Sequence, residues 1–180
     1  GWGYVHEDGS LDYWDDPWWG GSIFLLADKL YLYTGDAGVL ESAFPSLKAY
    51  VDFLSSTAED HIISWSLGDW LDLNPDPNSQ ASNLTPVAQT STAGYYWMSR
   101  KLADYAQILG YDKRLSEHYR ELADSIKDKF NREFLDYETG IYAENSQTAQ
   151  ALPLALGLVP DEMKEKVRQP HSIHGTDTMA

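Results

Sequence analysis

Cysteine is absent from all 180 residues, which excludes disulfides and thiolate metal sites and leaves the redox compartment unmarked. Long apolar runs are absent as well: nothing approaches the roughly 20 residues that span a bilayer. Basic side chains are scarce, 13 against 28 acidic, for a net charge of -15. A surface of that sign repels nucleic acid phosphates and anionic lipid, so neither nucleic acid nor a membrane is an expected partner. The acidity serves solubility and is compatible with a neutral substrate. The sequence opens on Gly1 and shows no signal segment, so the natural start and any targeting signal are expected to be missing from it. The location stays open, with the periplasm and the cell exterior both compatible. Histidine offers little. His6, His61, His118, His171 and His174 are scattered, and the i, i+3 pair His171 and His174 has neither a supporting helix nor a third ligand. No metal and no cofactor are expected.

What the chain does have is aromatic residues and a core. Hydrophobic residues make up 43% of it, and it holds 7 Trp and 12 Tyr. Trp2, Trp14, Trp18 and Trp19 crowd the first twenty positions, and Trp65 and Trp70 fall in a polar stretch. Most tryptophans thus lie outside the periodic segments where core packing draws them. Carbohydrate sites use aromatic faces against sugar C–H surfaces, with carboxylates and amides for the hydroxyls. The alternative is that loop tryptophans merely plug one end of a helical assembly.

Periodicity is helical throughout. Residues 1–19 read as irregular. From Gly20, Ile23, Phe24, Leu26, Ala27, Leu30 and Tyr31 recur at helical spacing until Thr34-Gly35-Asp36, where Gly35 is the expected C-cap. A second helix is expected to start at Pro45 and to carry Leu47, Tyr50, Val51 and Leu54. Residues 57–90 form a long proline-, asparagine- and serine-containing loop, with a short extended stretch at 62–65; loops of that length in compact domains are often functional. Helix resumes near Ser91, carries Met98, Leu102, Tyr105, Ala106 and Leu109, and stops at Gly110. Asp112 is the expected N-cap of the next helix, whose stripe is Leu115, Tyr119, Leu122, Ala123, Ile126 and Phe130. The charges of residues 127–132 read as an exposed face. A connection at 131–145 and two short helices, about 146–156 and 160–168, complete the pattern, and no strand pattern is evident.

The expected fold is all-α, with three antiparallel helix pairs: 20–34 with 46–56, 91–109 with 113–131, and 146–156 with 160–168. Links within pairs are short and links between pairs are long. The long loops and the first helix of each pair therefore begin at one end, where Trp18-Trp19, the 57–90 loop and Ala143-Glu144-Asn145 should share a rim.

Several segments together resemble one family. Leu67-Gly68-Asp69-Trp70-Leu71-Asp72-Leu73 is similar to the glycine–aspartate–tryptophan loop of the bacterial α-L-rhamnosidases of glycoside hydrolase family 78. Pro17-Trp18-Trp19-Gly20-Gly21-Ser22 resembles that family's tryptophan–glycine entry to a barrel helix, and Leu30-Tyr31-Leu32-Tyr33-Thr34-Gly35-Asp36 its exit. Asn83-Leu84-Thr85-Pro86, Thr90–Tyr96, Ile108-Leu109-Gly110, Phe130-Asn131 and Ser146-Gln147-Thr148-Ala149-Gln150-Ala151-Leu152 continue the series in order, across about residues 17–168. The resemblance implies an (α/α)6 toroid, of which residues 1–180 are a partial domain of about half the barrel, with 57–90 a loop on the active-site rim. It implies an inverting glycosidase acting on a rhamnose-containing glycan or glycoside.

Inversion takes two carboxyl groups roughly 6.5–9.5 Å apart, one protonating the leaving oxygen and one activating water. In the family the general acid lies upstream of the matched segment and the general base downstream; neither motif is visible here, so no catalytic residue is assigned. The resemblance makes Asp69 and Trp70 the best candidates for sugar contact, then Trp19, with Asp72, Trp18 and Glu144 weaker. Asp69 also reads as a turn cap, and Glu144 as a solvated loop acid. Asp15-Asp16 and Glu7-Asp8 read as solvated pairs. A half barrel is expected to expose apolar edges, covered by the remainder of the barrel or by a second copy. Two other classes fit the same pattern: a different helical-toroid glycosidase of trehalase, debranching or fucosidase type, and a non-catalytic carbohydrate-binding helical domain.

Overall fold

A computed structural model describes residues 16–69 and 82–169 in full, and the backbone of residues 2–5 and 11–14. The chain opens on a hairpin. Strand β1 (Trp2–Val5) pairs antiparallel with β2 (Leu11–Trp14), Trp2 facing Trp14 and Val5 facing Leu11. The sequence reading of irregular structure here is corrected. Two short runs rich in Trp, Tyr, Val and Leu flank Asp8-Gly9, and that is a hairpin signal. A second small hairpin, β3 (Leu135–Asp136) with β4 (Ile141–Tyr142), closes around Thr139-Gly140. Each strand is too short to leave an alternating pattern.

The remaining described elements are helical: α1 (Pro17–Gly20), α2 (Ser22–Thr34), α3 (Ala37–Thr57), α4 (Val87–Ile108), α5 (Lys113–Phe134), α6 (Gln147–Leu156), a 3-10 turn (Asp161–Met163) and α7 (Lys164–Arg168). The expected pairs are present as α2 with α3, α4 with α5, and α6 with the 3-10 turn and α7. Their ends follow local chemistry. Gly35 takes φ +68 at the end of α2, a conformation glycine adopts without strain. The carboxylates of Asp36 and Asp112 accept from the amides of Gly38 and Arg114 and cap α3 and α5.

Two helix starts differ from expectation. Pro45 lies inside α3. The stripe Leu40, Phe44, Leu47, Val51 and Leu54 is buried along the whole helix, and its burial outweighs the one hydrogen bond proline removes. α4 starts at Val87 rather than near Ser91. Its first turns hold Gln89, Thr90, Ser91 and Thr92, polar residues that are nonetheless buried. The stretch at 62–65 is irregular apart from an isolated bridge between Glu59 and Ile62. The 127–132 face is also only partly exposed: Lys127 donates to Gly157 O, and Asn131 is buried against Leu158 O.

α4 is the hub, in contact with α1, α3, α5 and α6. It is buried nearly all round, and small or hydroxylated residues let its neighbours come close. A side chain at Gly94 would meet the Trp18 indole at 3.1 Å. The hydroxyls of Ser91 and Ser99 return to backbone carbonyls one turn back, which satisfies them inside the core. α5 is one-faced, burying Tyr119, Ala123, Ile126 and Phe130 at helical spacing. α2 buries only Phe24 and Ala27 and leaves Leu26, Leu32 and Tyr33 at 62%, 65% and 82% exposure.

Three buried tyrosines seat their hydroxyls on internal acceptors. Tyr105 donates to Asp28, Tyr119 to Asp52 and Tyr142 to Asn131. Burial, and then the bond to Asp52, pushes the Tyr119 phenol from its ordinary 10.0 up to about 12. Burial raises Tyr142, and burial with the Asp28 charge raises Tyr105. The unfolded chain therefore loses these protons first, and stability falls as pH rises from the unfolded to the folded value. Tyr119 alone should account for about 2 kcal/mol between pH 10 and 12. Denaturant unfolding across that range should show a falling midpoint, shallower in Tyr119→Phe. An identical slope in the variant would contradict the assignment.

Candidate functional site

One end of the helix pairs is tied together by side-chain hydrogen bonds, and Asp16 is the first of them. Its backbone is extended, and Oδ1 accepts from the amides of Trp18 and Trp19 at 2.8 and 3.0 Å, which caps α1. Pro17 at the next position has no amide to satisfy. Oδ2 accepts from the amide of Leu67 at 3.1 Å, fifty-one residues along the chain. The Asp16 carbonyl accepts from Gly20 N and from the Tyr50 hydroxyl. Asp16 is 6% exposed. The reading of Asp15-Asp16 as a solvated pair is thus corrected for Asp16, while Asp15 and the pair Glu7-Asp8 lie outside the described residues. An aspartate before proline at a helix start is a capping pattern, so the signal was present.

The two candidate tryptophans of α1 differ. Trp18 is half-buried: its indole N–H donates to Thr90 O at 2.9 Å, and its ring stacks on Trp97 with centroids 6.1 Å apart. Together with the close approach at Gly94, this makes Trp18 the anchor of α1 on α4. Trp19 is 49% exposed, an aromatic surface at the same end.

The loop after α3 reaches this end as well. Ile63 N donates to the Thr92 hydroxyl, and the Ser66 hydroxyl bonds that of Ser91 at 2.6 Å. Gly68 N in turn donates to Ser66 Oγ. Gly68 takes φ +66, and a Cβ there would stand 2.9 Å from the Ser82 Cβ and 3.0 Å from a Val87 methyl. Both the turn and the close approach therefore require glycine. Asp69 follows, half-buried, and its Oδ2 accepts from the Thr148 hydroxyl at 2.6 Å. Among the described residues its Oδ1 accepts no hydrogen bond. The turn-cap reading of Asp69 does not describe this contact, which crosses to another helix. Trp70 and Asp72 lie outside the described residues.

α6 begins at the same place. Ser146 Oγ accepts from Ala149 N and bonds the buried hydroxyl of Thr85 at 2.6 Å. Gln89 of α4 donates to Ala149 O at 2.9 Å. Before it, Ala143 and Asn145 take φ +45 and +58, and Glu144 between them is exposed. The structure thus brings Trp18, Trp19 and Asp69 onto one rim with the start of α6. Thr148, Thr85, Ser66 and Asp16 are the rim residues that sequence reasoning missed. Hydroxyl residues in a polar stretch carry no pattern that names their partners. No group of three histidine or acidic residues among those described is placed to hold a metal.

The rim thus carries a carboxylate held at one oxygen, surrounding hydroxyls and an exposed indole. Residues 8–177 match the family model of the bacterial alpha-L-rhamnosidase 6 hairpin glycosidase domain. The chain belongs to this family.

Relatives agree. An α-L-rhamnosidase of Alteromonas sp. (strain LOR) is 29% identical over 151 residues, 82% of this chain and 16% of that protein. The solved α-L-rhamnosidase of Dictyoglumus thermophilum superposes with a TM-score of 0.73 at 36% identity, over 84% of this chain and 17% of that one. A Streptomyces avermitilis α-L-rhamnosidase solved with L-rhamnose gives 0.71 at 24% identity, over 82% of this chain and 13% of that one, and speaks to the fold alone. The chain therefore spans about one sixth of the rhamnosidases it matches first. The family domain is named for six hairpins, and the described residues hold three helix pairs.

Asp16→Ala would remove the α1 cap and leave the Leu67 amide without its acceptor. The expected cost is about 2–4 kcal/mol, from the lost cap and an unsatisfied half-buried donor. It should appear as a lowered thermal midpoint and faster hydrogen exchange at residues 66–69. Unchanged exchange there would contradict the role given to Asp16.

Proposed function

We propose that the protein carrying this chain hydrolyses α-L-rhamnosides with inversion, and that this chain supplies part of the sugar pocket. The carrying observation is the Asp69 carboxylate, held at one oxygen by Thr148 on the rim where the helix pairs begin. A carboxylate so held accepts a hydrogen bond from a sugar hydroxyl with its other oxygen. Trp70 packs a ring face of the sugar, as the family resemblance implies, and Trp19 offers a second aromatic face at 49% exposure. By the same resemblance Asp72 and Trp18 are further candidates for the pocket, and Trp18 anchors α1 on α4. The segment between α3 and α4, of which residues 58–69 and 82–86 are described, is the rim loop of this reading.

The net charge of -15 suits a neutral glycoside and disfavours polyanionic substrates. Inversion needs two carboxyl groups with room for water between them. By the family resemblance the acid lies upstream of the matched segment and the base downstream, in the rest of the protein. The exposed leucines and tyrosine of α2 are where the remaining hairpins pack, because an apolar helix face of that kind is otherwise left in water.

The test is hydrolysis of a panel of aryl glycosides by the full-length protein, with this chain run beside it. The expected result is release from the α-L-rhamnoside by the full-length protein alone, with β-L-rhamnose as the first product in the proton spectrum. Activity confined to another sugar would move the substrate, and release of the α-anomer first would overturn inversion. Sugar binding without hydrolysis of any glycoside would favour a carbohydrate-binding domain.

A further inference from the structure

Thr148 and Asp69 meet across 79 residues of sequence, and both ends of the contact are fixed independently of it. On the α6 side, Thr148 lies in the first turn of the helix. That turn is held by the Ser146 cap, by the Thr85 to Ser146 hydroxyl bond, and by Gln89 on Ala149 O. On the loop side, Asp69 follows a backbone pinned at Leu67 by Asp16 and at Gly68 by Ser66, and Ser66 is itself tied to Ser91 of α4. A short aspartate side chain has few rotamers, and a 2.6 Å hydroxyl donor on Oδ2 selects among them. The Thr148 hydroxyl has no other hydrogen-bond partner among the described residues. Threonine at this position is thus not needed to cap its own helix, a task Ser146 already performs.

We infer that Thr148 is the positioning residue for Asp69, occupying Oδ2 so that Oδ1 is presented to a hydroxyl of the bound sugar. This rests on the reading of Asp69 as a sugar contact given above. Thr148 does not touch the reacting atoms; it acts through the carboxylate. Its contribution is to ground-state binding, because the contact is made before any bond breaks, and such a contribution raises KM on removal while leaving kcat nearly unchanged.

The test uses the full-length protein and an aryl α-L-rhamnoside, with L-rhamnose affinity by calorimetry as a readout independent of turnover. Asp69→Asn should raise KM about tenfold, as expected for a hydrogen bond to a charged group. Thr148→Val, which keeps the shape and removes the donor, should raise KM roughly threefold or more with kcat within about twofold. Thr148→Ser should restore the parent KM. Asp69→Asn combined with Thr148→Val should bind no worse than Asp69→Asn alone, since the two act in series. Should Thr148→Val lower the thermal midpoint, Thr148→Ser carries the decision, because it retains the hydroxyl and loses the methyl. Parent-like KM and rhamnose affinity in Thr148→Val, with Asp69→Asn impaired, would overturn the positioning role and leave Asp69 as a sugar contact. A Thr148→Ser variant as impaired as Thr148→Val would make the position one of packing and also overturn the role. An Asp69→Asn variant with unchanged KM would overturn the sugar contact and this inference together.

Discussion

Everything at the rim hangs from a buried carboxylate that has no use as a free charge. Asp16 spends one oxygen on the first two amides of α1 and the other on an amide fifty-one residues away. A buried carboxylate is costly unless its oxygens are met by donors. That requirement fixes α1, and with it Trp18 and Trp19, relative to the loop that carries Gly68 and Asp69. Tyr50 of α3 adds a bond to the same residue's carbonyl, so three elements converge on one position.

The second constraint is the burial of α4 on nearly every side. A helix surrounded by α1, α3, α5 and α6 must offer close approach and leave no polar group unmet. Its sequence meets these demands with glycine, alanine and hydroxyl residues where a surface helix would carry charge, and among the described residues of α4 the Gln89 side-chain oxygen is left without a partner. Gly94 admits the Trp18 indole, and the Thr90 carbonyl receives its N–H. Thr92, Ser91 and Gln89 reach respectively to the loop at Ile63, to Ser66, and to α6. The same residues that satisfy the core thus position the loops.

These two constraints explain which features could be read from sequence. α5 was legible because one face is apolar at the helical period, and Gly35 and Asp112 because capping is local chemistry. The start of α4 was not, because Gln89 and Thr90 look like loop residues and are buried only by partners on other elements. Pro45 misled because a local rule was outweighed by a stripe that extends through it. At the rim, the tryptophans and Asp69 stood out by residue type and by resemblance. The contact of Asp69 with Thr148 did not, since no spacing rule links two residues 79 apart. Asp16 is readable as a cap from its place before Pro17, although its neighbour Asp15 gives it the look of a solvated pair.

The proposed rhamnose contact at this rim runs through an Asp69 carboxylate already held at one oxygen. Its most direct test is a crystal structure of the full-length protein with L-rhamnose bound. The expected result is a sugar hydroxyl within hydrogen-bond distance of Asp69 Oδ1, with Oδ2 still on Thr148. A rhamnose seated elsewhere, or an Asp69 with both oxygens occupied by protein donors, would contradict it.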